Sequence, residues 1–289
     1  MRIVQPLIDC SDALSDSGRL QWYARKSGYL FFPGLLQKDE VLKVRHDVLD
    51  VAESFSLLAE GTDPNDAIRR EGVYVDLEYE RNPTPEVRGF FNSVHGLRAF
   101  NAFFHHPVIL EVIELLFGES ILVHPRVICH VLFPGHHEHT AEPHQDLAPV
   151  RGTDRAWTVW TPLGDCENSL GGVAIAPGSH RRGLLDPDAL VKGQLTNEET
   201  VWGWSPFSCG DVLMFSSLTV HQGRDNVTAD RIRLSTSARY QPVSEPVDAL
   251  ALRPQRRWAE WEEIYADWDT DDPLKYYWKS LQLDVRTYR

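Results

Sequence analysis

One set of residues in this chain converges on a definable chemistry. A His-x-Asp pair, His144 and Asp146, sits in "EPHQDL", and a further imidazole, His221, follows the apolar run "GDVLMFSSLTV". On a strand, residues two apart share a face about 6 to 7 Å from one another, so His144 and Asp146 are expected to grip one ion from a single strand. The pair alone is a weak signal, because a chain with 12 histidines and 42 acidic residues holds about 1.7 such pairs by chance. Two occur. The other, His136 with Glu138 in "PGHHEHT", follows Pro134-Gly135 and reads as a solvated loop. His221 raises the first pair: two histidines and a carboxylate make a facial triad, which leaves three adjacent positions open on Fe(II) for a co-substrate and O2.

A candidate anchor for that co-substrate lies twelve residues beyond His221. Arg233 is followed two positions later by Ser235 in "RIRLSTSARY", so both occupy one strand face. A guanidinium fork beside a hydroxyl suits a carboxylate, and an Arg pointing into a barrel needs an anion, since an unpaired buried charge is expensive. A dicarboxylate ligand meets that need.

The elements that must position these groups follow from periodicity. "QWYARKSGYLFFPGLL" runs from a short helix into a strand, and "KDEVLKVRHDVLDVAESFSLLA" has apolar residues at helical spacing. A second amphipathic helix is expected at "LRAFNAFFHHPVILEVIELLFG", ending at Gly118. From residue 120 short runs rich in Val, Ile, Thr and Trp take over: "ILVHPRVICHVLF", "RAWTVWTPLG", "GGVAIAPGSH", "GDVLMFSS" and "RIRLSTSARYQ". Helices first and closely spaced strands after them predict a mainly β, antiparallel sandwich or barrel with helices on one outer side. Trp258, Trp261, Ile264 and Trp268 predict a third amphipathic helix in the tail, for packing or a homodimer contact. One domain over residues 1–289 is expected.

Composition removes other function classes. Acidic residues exceed basic ones by 42 to 29, a net charge of −13, with no basic run, which disfavours nucleic-acid binding. No stretch of 18 consecutive apolar residues marks a membrane span, and "MRIVQPLIDCSDALSDSG" lacks a signal-peptide pattern. Cys10, Cys129, Cys166 and Cys209 form no CxxC pair, so a reducing cytoplasm is the expected compartment.

Together, "PHQD", "PLGDCENSLGGVAIAPGSHRRG", "CGDVLMFSSLTVHQGRDN" and "RLSTSARYQP" resemble the phytanoyl-CoA dioxygenase family, most strongly over residues 120 to 245. "SGYLFFPGLLQKDEV" is similar to the family's usual opening. The resemblance implies a double-stranded β-helix (jelly-roll, cupin-like) core with flanking N- and C-terminal helices. It implies Fe(II) held by His144, Asp146 and His221, with 2-oxoglutarate as co-substrate, Arg233 and Ser235 on its far carboxylate, and hydroxylation of a small-molecule substrate with release of succinate and CO2. Trp160 and Gln145 are weaker carry-overs to the co-substrate pocket. The interval from the distal His to the Arg is one residue longer here than is usual in the family, so Arg231 competes with Arg233. The Arg-x-Ser pattern favours Arg233.

Other readings stay beside this one: a metal-dependent cupin-type enzyme without 2-oxoglutarate, and a non-catalytic jelly-roll binding protein. His124, Arg126 and His130 share a strand face and either line a pocket or face water, the second being the preferred reading. Residues 65 to 95 and the loop "LLDPDALVKGQLTNEETVWGW" are expected to cover the cavity, and Trp202 and Trp204 either wall it or pack the core.

Overall fold

Asp16 accepts a hydrogen bond from the Arg19 amide, and Gly28, in the left-handed region at φ 75°, closes the other end; together they bound helix α1, Ser17–Ser27. The computed structural model describes residues 4–73, 84–137, 140–194, 196 and 200–288. Helix α2, Lys38–Ser54, carries Asp39 and Glu40 in its first turn and buries Val41, Val44, Val48, Leu49 and Ala52 along one stripe. Thr84 caps α3, Pro85–Gly96.

The single helix expected at residues 97–118 is two. Helix α4, Arg98–Ala102, runs into a 3-10 turn, and α5, Pro107–Phe117, restarts at Pro107 and ends at Gly118 with φ 71°. A proline disfavours helical geometry at the preceding residue, and His106 sits at ψ 126°. By length and composition Arg98–Phe117 could cross a membrane (mean hydropathy 1.3), but Phe100, Phe104, Ile109 and Ile113 are fully buried in the core.

The strands are β1 (Val4–Gln5), β2 (Tyr29–Phe32), β3 (Ile121–Val123), β4 (Ile128–Leu132), β5 (Trp157–Pro162) and β6 (Gly172–Ile175). They continue with β7 (Trp202–Gly203), β8 (Val212–Ser216), β9 (His221–Arg224), β10 (Arg233–Pro242), β11 (Val247–Asp248) and β12 (Val285–Arg286). One sheet has the order β2-β8-β5-β10-β3, with β4 also on β10; a second has the order β1-β7-β6-β9; β11 and β12 form a separate pair. The two larger sheets face each other as the jelly-roll expected from the sequence.

Side-chain alternation gives the larger sheet two buried faces. Leu30, Phe32, Val212, Met214, Trp157, Val159, Leu234, Ala238 and Tyr240 pack beneath the helices. Their neighbours Tyr29, Phe31, Leu213, Phe215 and Trp160 turn inward and meet Val173 and Ile175 of the second sheet. Each fully buried Leu or Phe contributes roughly 1.5–3 kcal/mol. On β10 the inward set is polar throughout: Arg233, Ser235, Ser237, Arg239 and Gln241.

Three expectations change. His144 and Asp146 do not lie on a strand: His144 makes an isolated bridge to His221, and Asp146 is the N-cap of a four-residue helix, α6 (Leu147–Val150). The loop after Leu184 includes the short helix α7 (Pro187–Val191) capped by Asp186, and the stretch at residues 65–95 lies partly outside the described residues and otherwise ends in α3, whose Phe90 and Phe91 are core. The tail forms one turn, α8 (Trp261–Ile264), and 3-10 segments instead of a long helix. Its aromatics still pack: Trp261 stacks on Tyr265 at 5.2 Å, and Trp268 and Trp278 are buried with them. Mutual ring packing holds the tail without helical periodicity.

Candidate active site

His144 and His221 are neighbours because their backbones pair: the His144 amide donates to the His221 carbonyl at 2.9 Å and the His221 amide returns the bond at 3.0 Å. Their ring centroids lie 4.1 Å apart. The Nδ1–H of His144 donates to the Glu142 carbonyl (2.7 Å) and that of His221 to the Thr219 carbonyl (3.0 Å). This fixes the tautomer that leaves each Nε2 lone pair free to ligate. Asp146 Oδ1 lies 3.8 Å from His144 Nε2 and 3.9 Å from His221 Nε2, and one donor atom from each residue falls within 4.8 Å of the others. Two imidazoles and a carboxylate around one point fit Fe(II).

The electrostatics agree with that fit. Burial pushes the His221 imidazole down to about 3, so it is neutral near pH 7. Burial opposes ionisation of Asp146, but the Arg239 guanidinium, 2.9 Å from Oδ1, acting together with the His221 and His144 imidazoles, outweighs it and holds the carboxyl far below the usual carboxylate range. Thr158 donates its hydroxyl to Oδ2.

The triad opens onto a cavity of about 470 Å³ whose wall includes His130, Trp160, Phe215, Arg233, Ser237 and Arg239. Arg233 is 8% exposed; its Nη1 donates to the Gly172 carbonyl at 3.2 Å, and its Nε has no partner. Among the described residues it has no carboxylate partner, and burial lowers its pKa. Ser235, fully buried on the same face of β10, also has an unpartnered hydroxyl. Arg231 does not line this cavity: it pairs with Glu167 at 3.1 Å and borders a hollow of about 300 Å³ that Arg233 also borders. Trp160 packs edge-on against Phe207 at 4.8 Å and presents its indole to the main cavity.

Gln145 does not join this wall. Its amide donates to the carbonyls of Gly183 (2.9 Å) and Leu218 (2.6 Å), and its Oε1 accepts from the Leu185 amide (2.7 Å). Its side chain instead ties down the loop that begins at Gly183. The water-facing reading of "HPRVICH" is corrected too. His124 is buried and bonded to Gln241 at 2.8 Å, whereas His130 lines the cavity and bonds Ser237 at 2.9 Å. The break between β3 and β4 removes the shared face.

His137 lies 3.1 Å from Asp225, and Thr140 donates to Asp225 at 2.7 Å; Glu138 and His139 lie outside the described residues. Trp202 is core beside Leu190 and Val220, and Trp204 supports Arg224 at 4.0 Å. The sequence reading missed Arg239 and Thr158. Their signal was parity: Arg239 is six positions from Arg233 on one strand, and Thr158 two from Trp160 on another.

Comparison with known proteins agrees with this geometry. Residues 24–235 match the family described as phytanoyl-CoA dioxygenase (PhyH). The 1-deoxypentalenic acid 11-beta-hydroxylase of Streptomyces arenae is 27% identical over 268 residues, covering 85% of this chain and 88% of the relative; the Streptomyces exfoliatus enzyme of that name is 27% identical over 272 residues, covering 86% and 89%. The fold is shared with the alpha-ketoglutarate-dependent epimerase SnoN of nogalamycin biosynthesis (TM-score 0.54, 24% identity, 80% of this chain and 85% of that one). EctD from S. alaskensis superposes similarly (TM-score 0.56, 17% identity, 86% and 85%). With the family matched over most of its length and a His-Asp-His site at the mouth of its jelly-roll, the chain belongs to the phytanoyl-CoA dioxygenase family of Fe(II)- and 2-oxoglutarate-dependent oxygenases.

Proposed function

We propose that this enzyme hydroxylates a small organic molecule, with His144, Asp146 and His221 holding the metal and Arg233 and Ser235 holding the far carboxylate of 2-oxoglutarate. The observation that carries the co-substrate assignment is Arg233: a buried guanidinium without a carboxylate partner among the described residues, on the cavity wall the triad also faces. Burying such a charge is costly unless an anion joins it, so the pocket is built for a ligand that brings one. Ser235 adds a hydroxyl on the same face. Fe(II) and 2-oxoglutarate, when bound with O2, supply the oxidation of a C–H bond and release succinate and CO2.

The protein's own part is positional. The two Nδ1–H bonds aim both imidazoles, Arg233 sets the direction of the diacid, and Trp160 with Phe215 walls the reacting volume against water. The hydroxylase relatives act, by name, on a carboxylic acid, so organic acids head the substrate panel. All four cysteines are free and buried, as suits a reducing cytoplasm.

The test is succinate release from Fe(II)- and 2-oxoglutarate-loaded protein over a metabolite panel, read with product mass. A gain of one oxygen is the expected product. Loss of two hydrogens, or an unchanged mass with inverted stereochemistry, replaces hydroxylation with ring closure or epimerisation. Absence of succinate across the panel overturns the activity.

A further inference from the structure

Asp146 is the metal-site residue whose own backbone does least to aim it. His144 and His221 are fixed by a two-bond bridge, whereas Asp146 caps a single helical turn. Its carboxylate is aimed from outside. Arg239 Nη2 donates to Oδ1 at 2.9 Å and the Thr158 hydroxyl donates to Oδ2. These two donors stand directly opposite each other in the β10–β5 register, so one cross-strand pair grips both oxygens.

The grip is asymmetric with respect to the histidines. Oδ1 is the oxygen 3.8 and 3.9 Å from the two Nε2 atoms, while Oδ2 is turned to Thr158. A carboxylate free to rotate can place both oxygens on a metal, and doing so occupies one of the three positions a facial triad otherwise leaves open. Rotation of Oδ2 toward the metal would break the Thr158 bond and strand a buried hydroxyl, since Thr158 is 2% exposed.

We infer that Thr158 and Arg239 are positioning residues that hold Asp146 to one-oxygen ligation and so preserve three exchangeable positions on the metal. The inference rests on the metal assignment of the triad, and Mn(II) tests both separately. Mn(II) relaxes water protons in proportion to the number of exchangeable waters it holds, so relaxivity counts open positions without turnover. Wild-type protein is expected to hold Mn(II) with three waters, and to keep one after 2-oxoglutarate fills two positions. Thr158→Val keeps the side chain's shape but lacks the donor. Its relaxivity is expected to fall by about one third, with the last water lost on adding 2-oxoglutarate. Thr158→Ser keeps the hydroxyl and is expected to restore the wild-type values.

Wild-type protein that fails to bind Mn(II) overturns the metal site itself. Wild-type binding with unchanged relaxivity in Thr158→Val overturns the positioning role alone, as does a folded Thr158→Val that no longer binds Mn(II). Thr158→Ala provides the same comparison if valine prevents folding, and equal relaxivity there is equally decisive.

Discussion

Arg233 opens β10 and Arg231 lies two residues before it, yet their surroundings assign the two guanidinium groups different work. Arg233 is buried without an acid, and Arg231 is half exposed and paired with Glu167. Removing one member of a desolvated charge pair costs roughly 2–5 kcal/mol, so Arg233→Gln is expected to weaken 2-oxoglutarate binding to Mn(II)-loaded protein by at least about thirtyfold. Arg231→Gln should leave that affinity within about twofold, because exposed pairs contribute little. Calorimetric titration of both variants decides it, and equal losses would return the anchor to an open choice. Arg239→Met makes a different prediction. It leaves Asp146 as an uncompensated buried charge, which costs about 3–5 kcal/mol in metal-free protein, and Mn(II) should restore much of the loss. Thermal melts with and without Mn(II) check this; a variant as stable as the parent without metal would contradict it.

At the level of elements, much of the molecule was legible in the sequence. The Val-, Ile- and Trp-rich runs marked β5, β6 and β8 because strands buried on both faces read as near-continuous apolar stretches, whereas β10 showed as alternation, with Leu234, Ala238 and Tyr240 between polar residues. The triad and Arg233 could be named from residue type and spacing. The His-x-Asp pair still misled in its local geometry: residues two apart share a face only in a strand, and Asp146 begins a helical turn. Parity with Arg233 put Arg239 on the inward face, but its partner was illegible because a strand Arg carries no sign of which carboxylate will fold against it. Gln145 stood inside the motif, but its partners are backbone groups of distant loops, invisible to any spacing rule. Gln145→Leu is therefore expected to destabilise the fold by about 1–3 kcal/mol through unpaired buried groups, while 2-oxoglutarate affinity of the folded protein stays within about twofold. Urea unfolding beside ligand titration separates the cases; a large affinity loss at unchanged stability would make Gln145 a ligand contact after all.

For the whole molecule, buried imidazoles set the response to acid. Burial pushes His95, His124 and His130 down to about 3 and His105 to about 4. Between pH 6.5 and those values the unfolded chain binds protons that the folded chain refuses. Stability is thus complete above about 6.5 and declines on acidification, by up to about 1.4 kcal/mol per pH unit for each group. Urea midpoints at pH 8.5, 7.5 and 5.5 should be similar for the first two and lower for the third, with a shallower decline in His124→Gln; a flat profile to pH 5.5 would contradict the burial argument. Strand β10 has a consequence for how such a protein changes over generations. Leu234, Ala238 and Tyr240 face the helices, while Arg233, Ser237 and Arg239 face the cavity. A library randomised on the first set samples robustness at constant selectivity, and one randomised at Ser237, which lines the cavity between the residues that serve the metal and the co-substrate, samples new selectivities. Insertion of a single residue within the strand would exchange the two sets and forfeit both at once.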